Sequence, residues 1–209
     1  MRCGLLTSTM SPEVALRRDE SLIQPNRIGS DRIGSLFDEA DSILELTAGI
    51  PHVLSYTNAM PKNLFPVNDP IHGEITVGID WAPTGSERAG LDATYSLASA
   101  ARWLELPIDM VERTFEPTLN AYCEGLISSG WSGDLELVRL VACAVNGTTE
   151  AITISSIISR TIADDKRASE FTKTTLGMTL EENFYHWQPE MAHALDNADR
   201  AVELARNLA

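Results

Sequence analysis

A mostly α protein with a small β insert is predicted by three features of the sequence. Apolar residues recur at helical spacing over most of the chain after Gly90, and the β-rich runs are confined to residues 52–79. A hydrophobic fraction of 44% across 209 residues is enough to fill one core.

Residues 1–30 contain Pro12, Pro25, Gly29 and scattered charge with no sustained period, so they read as a poorly ordered leader ahead of a folded unit over 31–209. The tetrapeptide Arg27-Ile28-Gly29-Ser30 returns as Arg32-Ile33-Gly34-Ser35, too short a repetition to mark a repeat architecture. From Asp31 to Thr47, Ile33, Leu36, Phe37, Ala40, Ile43 and Leu44 fall on one helical face, and Gly49 provides a stop. His52 to Ser55 reads as a short extended run, and Ile75 to Ile79 as a strand after a His72-Gly73 turn.

Helices are then predicted over Leu91–Leu104, Ile108–Ile127 and Asp134–Ile162. The second is expected to break at Pro117, with the proline opening a new helix. Thr179-Leu180-Glu181-Glu182 has the form of a capping box, which predicts a last helix towards Leu208 with a bend at Pro189. Trp103, Trp131 and Trp187 read as core residues.

Thirty acidic and 16 basic residues give a formal net charge of −14, which repels a phosphate backbone and argues against a nucleic-acid partner. No apolar run approaches a membrane span, so no membrane partner is expected. Cys3, Cys123 and Cys143 are odd in number and widely spaced, which suits buried or idle thiols in a reducing cytoplasm. His186 and His193 read as core or surface histidines, because no other element supplies ligands at metal spacing.

The stretch with chemical content is Leu54-Ser55-Tyr56-Thr57-Asn58-Ala59-Met60-Pro61-Lys62-Asn63-Leu64-Phe65, followed by Ile79-Asp80-Trp81. Phosphoryl transfer needs an acceptor that orients a hydroxyl nucleophile, and oxygen ligands that hold magnesium against phosphates. Asn58 precedes Asn63 by five residues, and Asp80 ends the β-rich run that follows. In its Pro-Lys-Asn-Leu-Phe and Ile-Asp-Trp segments the chain resembles the aminoglycoside-phosphotransferase-like small-molecule kinases. Gly85, Gly90 and Asp92 match that family's loop beyond the Asp-Trp pair, so the similarity spans residues 31 to about 145.

The resemblance implies the C-terminal lobe of a protein-kinase-like fold. It further implies a lineage activity of ATP-dependent phosphorylation of a small-molecule hydroxyl, with Asn63 and Asp80 as magnesium ligands. Two departures imply an impaired or inactive enzyme. The family's histidine is Tyr56, and its catalytic aspartate is Asn58, an amide that cannot act as a base. Only about fifty residues precede the loop, and they contain no glycine-rich run or lysine-bearing strand, so an N-terminal ATP cradle is not expected. The alternative expectation is a non-catalytic helical interaction module that binds a partner or another chain, and self-association is expected through an apolar surface near Val53–Phe65 and its flanking helix.

Overall fold

The computed structural model describes residues 34–209, apart from Leu36, Asn58, Pro83 and Asp164. The expected leader over 1–30 therefore lies outside the described residues, as does Cys3. The remainder is mostly helical with two small antiparallel sheets, in keeping with the mostly α class with a small β insert.

Helix α1 covers Ala40–Leu46 and buries Ile43. It ends at Thr47, whose hydroxyl donates to the Ile43 carbonyl at 2.7 Å, so the stop falls before Gly49. Strand β1, His52–Tyr56, pairs antiparallel with β4, Thr84–Arg88, in the register Leu54 to Ser86. Between them, β2, Leu64–Asp69, and β3, Gly73–Gly78, form a second antiparallel pair with Phe65 opposite Val77. The turn between β2 and β3 is closed by Asp69 Oδ1, which accepts from the Ile71 and His72 amides at 2.9 and 2.8 Å, while Gly73 takes a φ of +76°.

Helices α2 (Leu91–Arg102), α3 (Ile108–Ser128), α4 (Leu135–Ile162), α5 (Lys166–Leu176) and α6 (Leu180–Leu208) follow. Helix α3 runs unbroken through Pro117, contrary to the expected interruption. Pro117 is exposed, and the buried side chains of Val111, Phe115 and Leu119 lie on one face across that position, so packing offsets the single lost backbone hydrogen bond. The capping box forms as predicted: Glu182 N donates to Thr179 Oγ1 at 3.1 Å and Thr179 N donates to Glu182 Oε2 at 2.7 Å.

The core joins α1, α2, α3, α4 and α6 around Ile43, Ala93, Phe115, Leu119, Val138 and Ala198. Cys123 and Cys143 are buried free thiols within it, and burial pushes the Cys143 thiol up to about 11. Trp187 is buried and Trp131 packs against the core, but Trp103 is 43% exposed and corrects its core assignment. It closes α2 at the surface, where Lys62 Nζ lies 5.9 Å from its ring centroid. Among the described residues no helix is long and apolar enough to cross a membrane.

Candidate functional site

The two β pairs bring the separated halves of the motif together. Pro61–Asn63 form a single 3-10 turn, opened by proline at a position where its missing N–H costs nothing. The Asn63 amide donates to the Met60 carbonyl at 2.8 Å, closing the turn. The Asn63 carbonyl in turn accepts from the Ile79 amide at 3.0 Å, which continues the β2–β3 ladder to the residue before Asp80. Asn63 is buried, whereas Asp80 is exposed and takes a φ of +61°, a left-handed conformation that aspartate tolerates better than most residues.

Tyr56 ties this junction to the rest of the fold. Its hydroxyl donates to the Ile79 carbonyl, and its ring stacks on Trp81 with centroids 4.3 Å apart and planes 20° from parallel. Its backbone amide donates to Asp92 Oδ2 at 3.2 Å, at the start of α2. Partial burial, and then the charge of Asp80, hold the Tyr56 phenol above its ordinary value, so it remains a neutral donor. Trp81 Nε1 donates to the Gly78 carbonyl at 2.8 Å. A Cβ at Gly78 would stand 3.2 Å from Tyr56 and 3.3 Å from Trp81, so the stacked pair needs a small residue there.

The adjoining loop is held just as closely. Gly90 has a φ of +102°, and a Cβ there would meet the Val138 carbonyl oxygen at 2.4 Å. Its amide donates to the Tyr122 hydroxyl at 3.2 Å, and burial lifts that phenol to about 12. Gly90 is therefore required by both conformation and space.

Of the three expected site residues, the structure positions Asn63 and Asp80 at one junction, while Asn58 lies outside the described residues. The pair offers one amide oxygen and one carboxylate, donors that suit a hard cation such as magnesium when phosphate and water complete its shell. No group of three or more histidine, cysteine, aspartate or glutamate side chains suited to a metal occurs among the described residues. His193 is half-buried: its Nε2 lies 3.0 Å from Asn197 Nδ2 and its ring meets Phe115 edge-on. Burial depresses its basicity.

Tyr56 was legible as a departure from a motif but not as the residue that links loop, strand and helix, because its partners Ile79, Trp81 and Asp92 are 23 or more residues away. A cavity of about 580 Å³ lies elsewhere, lined by apolar side chains such as Phe37, Leu44, Leu91 and Val145, and touches neither Asn63 nor Asp80. No protein-family model matches the chain, and no curated protein or solved structure matches it.

Proposed function

We propose that the chain is a degenerate C-terminal lobe of the aminoglycoside-phosphotransferase-like kinases. Its lineage reaction is then ATP-dependent phosphorylation of a small-molecule hydroxyl, and its present activity is severely impaired. The observation that carries this reading is the 3.0 Å hydrogen bond from the Ile79 amide to the Asn63 carbonyl. It puts Pro-Lys-Asn-Leu-Phe and Ile-Asp-Trp side by side, although 15 residues separate Asn63 from Ile79 in the chain. The Asp92 contact to Tyr56 supports the same reading, because it joins the loop to the helix that follows.

In this reading Asn63 and Asp80 hold magnesium, which when bound supplies charge neutralisation for the transferred phosphates. Tyr56 and Trp81 orient the strand end that carries Asp80. Asn58 offers the substrate hydroxyl a carbonyl acceptor but removes the general base, a loss on the order of 10²–10⁴-fold. Positioning survives in part and charge does not.

A second reading, a non-catalytic interaction module, is favoured by the β2–β3 pair. Phe65, Val67 and Val77 share one face of that two-stranded sheet and are exposed, and a lone hairpin is marginal without a packed face.

Two assays separate the readings. Magnesium titrated into the chain while Trp81 fluorescence is followed should saturate only weakly, because Asn63 and Asp80 supply one formal charge, and Asp80→Asn should weaken it further. With ATP and a panel of aminoglycosides, amino alcohols and sugars, the unmodified chain should give no robust phosphorylation. Robust turnover would overturn the degenerate-kinase reading, and absence of any magnesium response would leave the interaction module as the better account.

A further inference from the structure

The helical half holds a cavity of about 380 Å³ bounded by α2, α4, α5 and the start of α6. That size falls within the roughly 300–1,000 Å³ typical of small-molecule sites. Arg102 and Arg160 line it together with the rings of Trp103, Phe171 and Trp187, and no acidic side chain is among the described residues of its wall. This inverts the balance of a chain with 30 acidic and 16 basic residues, so a small anion finds locally the field that the whole molecule denies it.

The cavity is built rather than incidental. Arg102 Nη2 donates to the buried Glu150 Oε1 at 2.6 Å, and its guanidinium lies 5.9 Å from the Trp187 ring centroid. Trp187 Nε1 donates to Asn183 Oδ1 at 3.0 Å, which fixes the ring that Arg102 faces. Arg102 Nε is buried and has no acceptor among the described residues. At the cavity mouth Trp103 and Phe171 are exposed despite their size.

The local charges favour a ligand with a single negative charge. Arg102 and Glu150 form a matched pair, and burial raises the nearby Glu190 carboxyl to about 8, leaving it protonated at neutral pH. Arg160 is exposed and makes no ion pair among the described residues. Among the described residues Arg160 thus has no ion-pair partner, and it shares the cavity wall with the exposed rings of Trp103 and Phe171.

We propose that this cavity binds a small planar aromatic carboxylate, with its ring among Trp103, Phe171 and Trp187 and its carboxylate on Arg102 and Arg160. Guanidinium and carboxylate are matched in shape and charge, and flat rings stack on indole and phenyl faces. The site does not depend on the phosphoryl-transfer reading, since neither Asn63 nor Asp80 lines it.

The test is calorimetric titration of the whole chain with 2-naphthoate and with its neutral counterpart 2-naphthamide, without ATP or magnesium. The acid should bind at least about tenfold more tightly than the amide, in line with a charge-assisted contact. Arg160→Ala should cost the acid about tenfold and leave the amide unchanged, and Phe171→Ala should weaken both ligands. Both replaced side chains are exposed, so folding is retained, and far-ultraviolet circular dichroism would verify this. Equal affinity for acid and amide, an Arg160→Ala variant that binds the acid as well as the parent, or no heat from the acid up to about 1 mM would overturn the proposal.

Discussion

Glu150 and Glu190 are both buried, on α4 and α6, and Arg102 supplies the positive charge beside them. Burial, then the Glu150 charge, raises the Glu190 carboxyl to about 8, with Arg102 opposing. Burial also raises Glu150, against the pull of Arg102. For Glu190 the folded pKa exceeds the unfolded value of 4.5, so the folded state keeps a proton that the unfolded chain releases. Stability therefore falls as pH rises from about 4.5 towards 8 and levels off above that. Glu190→Gln removes this dependence, and the variant should gain about 4 kcal/mol over the parent at pH 8 while matching it near pH 4.5. Urea unfolding at several pH values checks this; a stability difference that does not change with pH would show that Glu190 does not titrate in this way. At this scale the sequence displayed residue identities but not their neighbours. Asn63 and Asp80 stand out through local motifs as candidates, whereas the Arg102–Glu150 pair joins positions 48 residues apart with no local signal.

Elements with a local cause were legible, and those that depend on distant partners were not. The apolar period marked α2, α3 and α4, and the Thr179–Glu182 box marked the start of α6. Strand β4 reads Thr-Gly-Ser-Glu-Arg, a polar sequence that becomes a strand because β1 pairs with it, and β2 carries Pro66, which obscures its β character. Helix α5 was missed because its apolar residues are few. Its signals are the Asp165 cap, which accepts from the Arg167 and Ala168 amides at 2.9 and 3.2 Å, and Gly177 at φ +73°. The contact between α4 and α6 rests on a different local feature, the glycine at position 147. A Cβ there would lie 3.0 Å from the Ala198 backbone, and beside it Asn197 Nδ2 donates to Asn146 Oδ1 at 2.9 Å. Gly147→Ala should destabilise the fold by about 1–3 kcal/mol despite alanine's better helix propensity. Gly125→Ala, in α3 with nothing within 4 Å of the added Cβ, should instead stabilise by about 0.5–1 kcal/mol. Thermal unfolding of the pair compares crowding with propensity directly, and a stabilised Gly147→Ala would mean that the two helices separate at little cost.

Over the whole molecule, opposing effects act on self-association. The helices share a continuous core, but the β2–β3 pair presents Phe65, Val67 and Val77 to solvent, and Leu54 and Ile71 nearby in the strand region are 75% and 84% exposed. An apolar surface of this kind favours association. A net charge of −14 opposes it, since copies that approach must overcome mutual repulsion. Repulsion between exposed charges is screened over about 10 Å at 0.1 M salt and about 3 Å at 1 M, while burial of apolar surface persists. The purified chain should therefore shift from monomer towards dimers or larger species as sodium chloride is raised from about 0.05 to 0.5 M. Val67→Lys places a charge on that sheet face without disturbing a buried contact, because Val67 is itself exposed. It should hold the chain monomeric across the same range, with unchanged circular dichroism. Light scattering of both proteins reads the outcome. Assembly that weakens with salt would assign the contact to charge pairs, and a parent that stays monomeric throughout and binds no apolar dye would remove the β2–β3 face as an interaction surface.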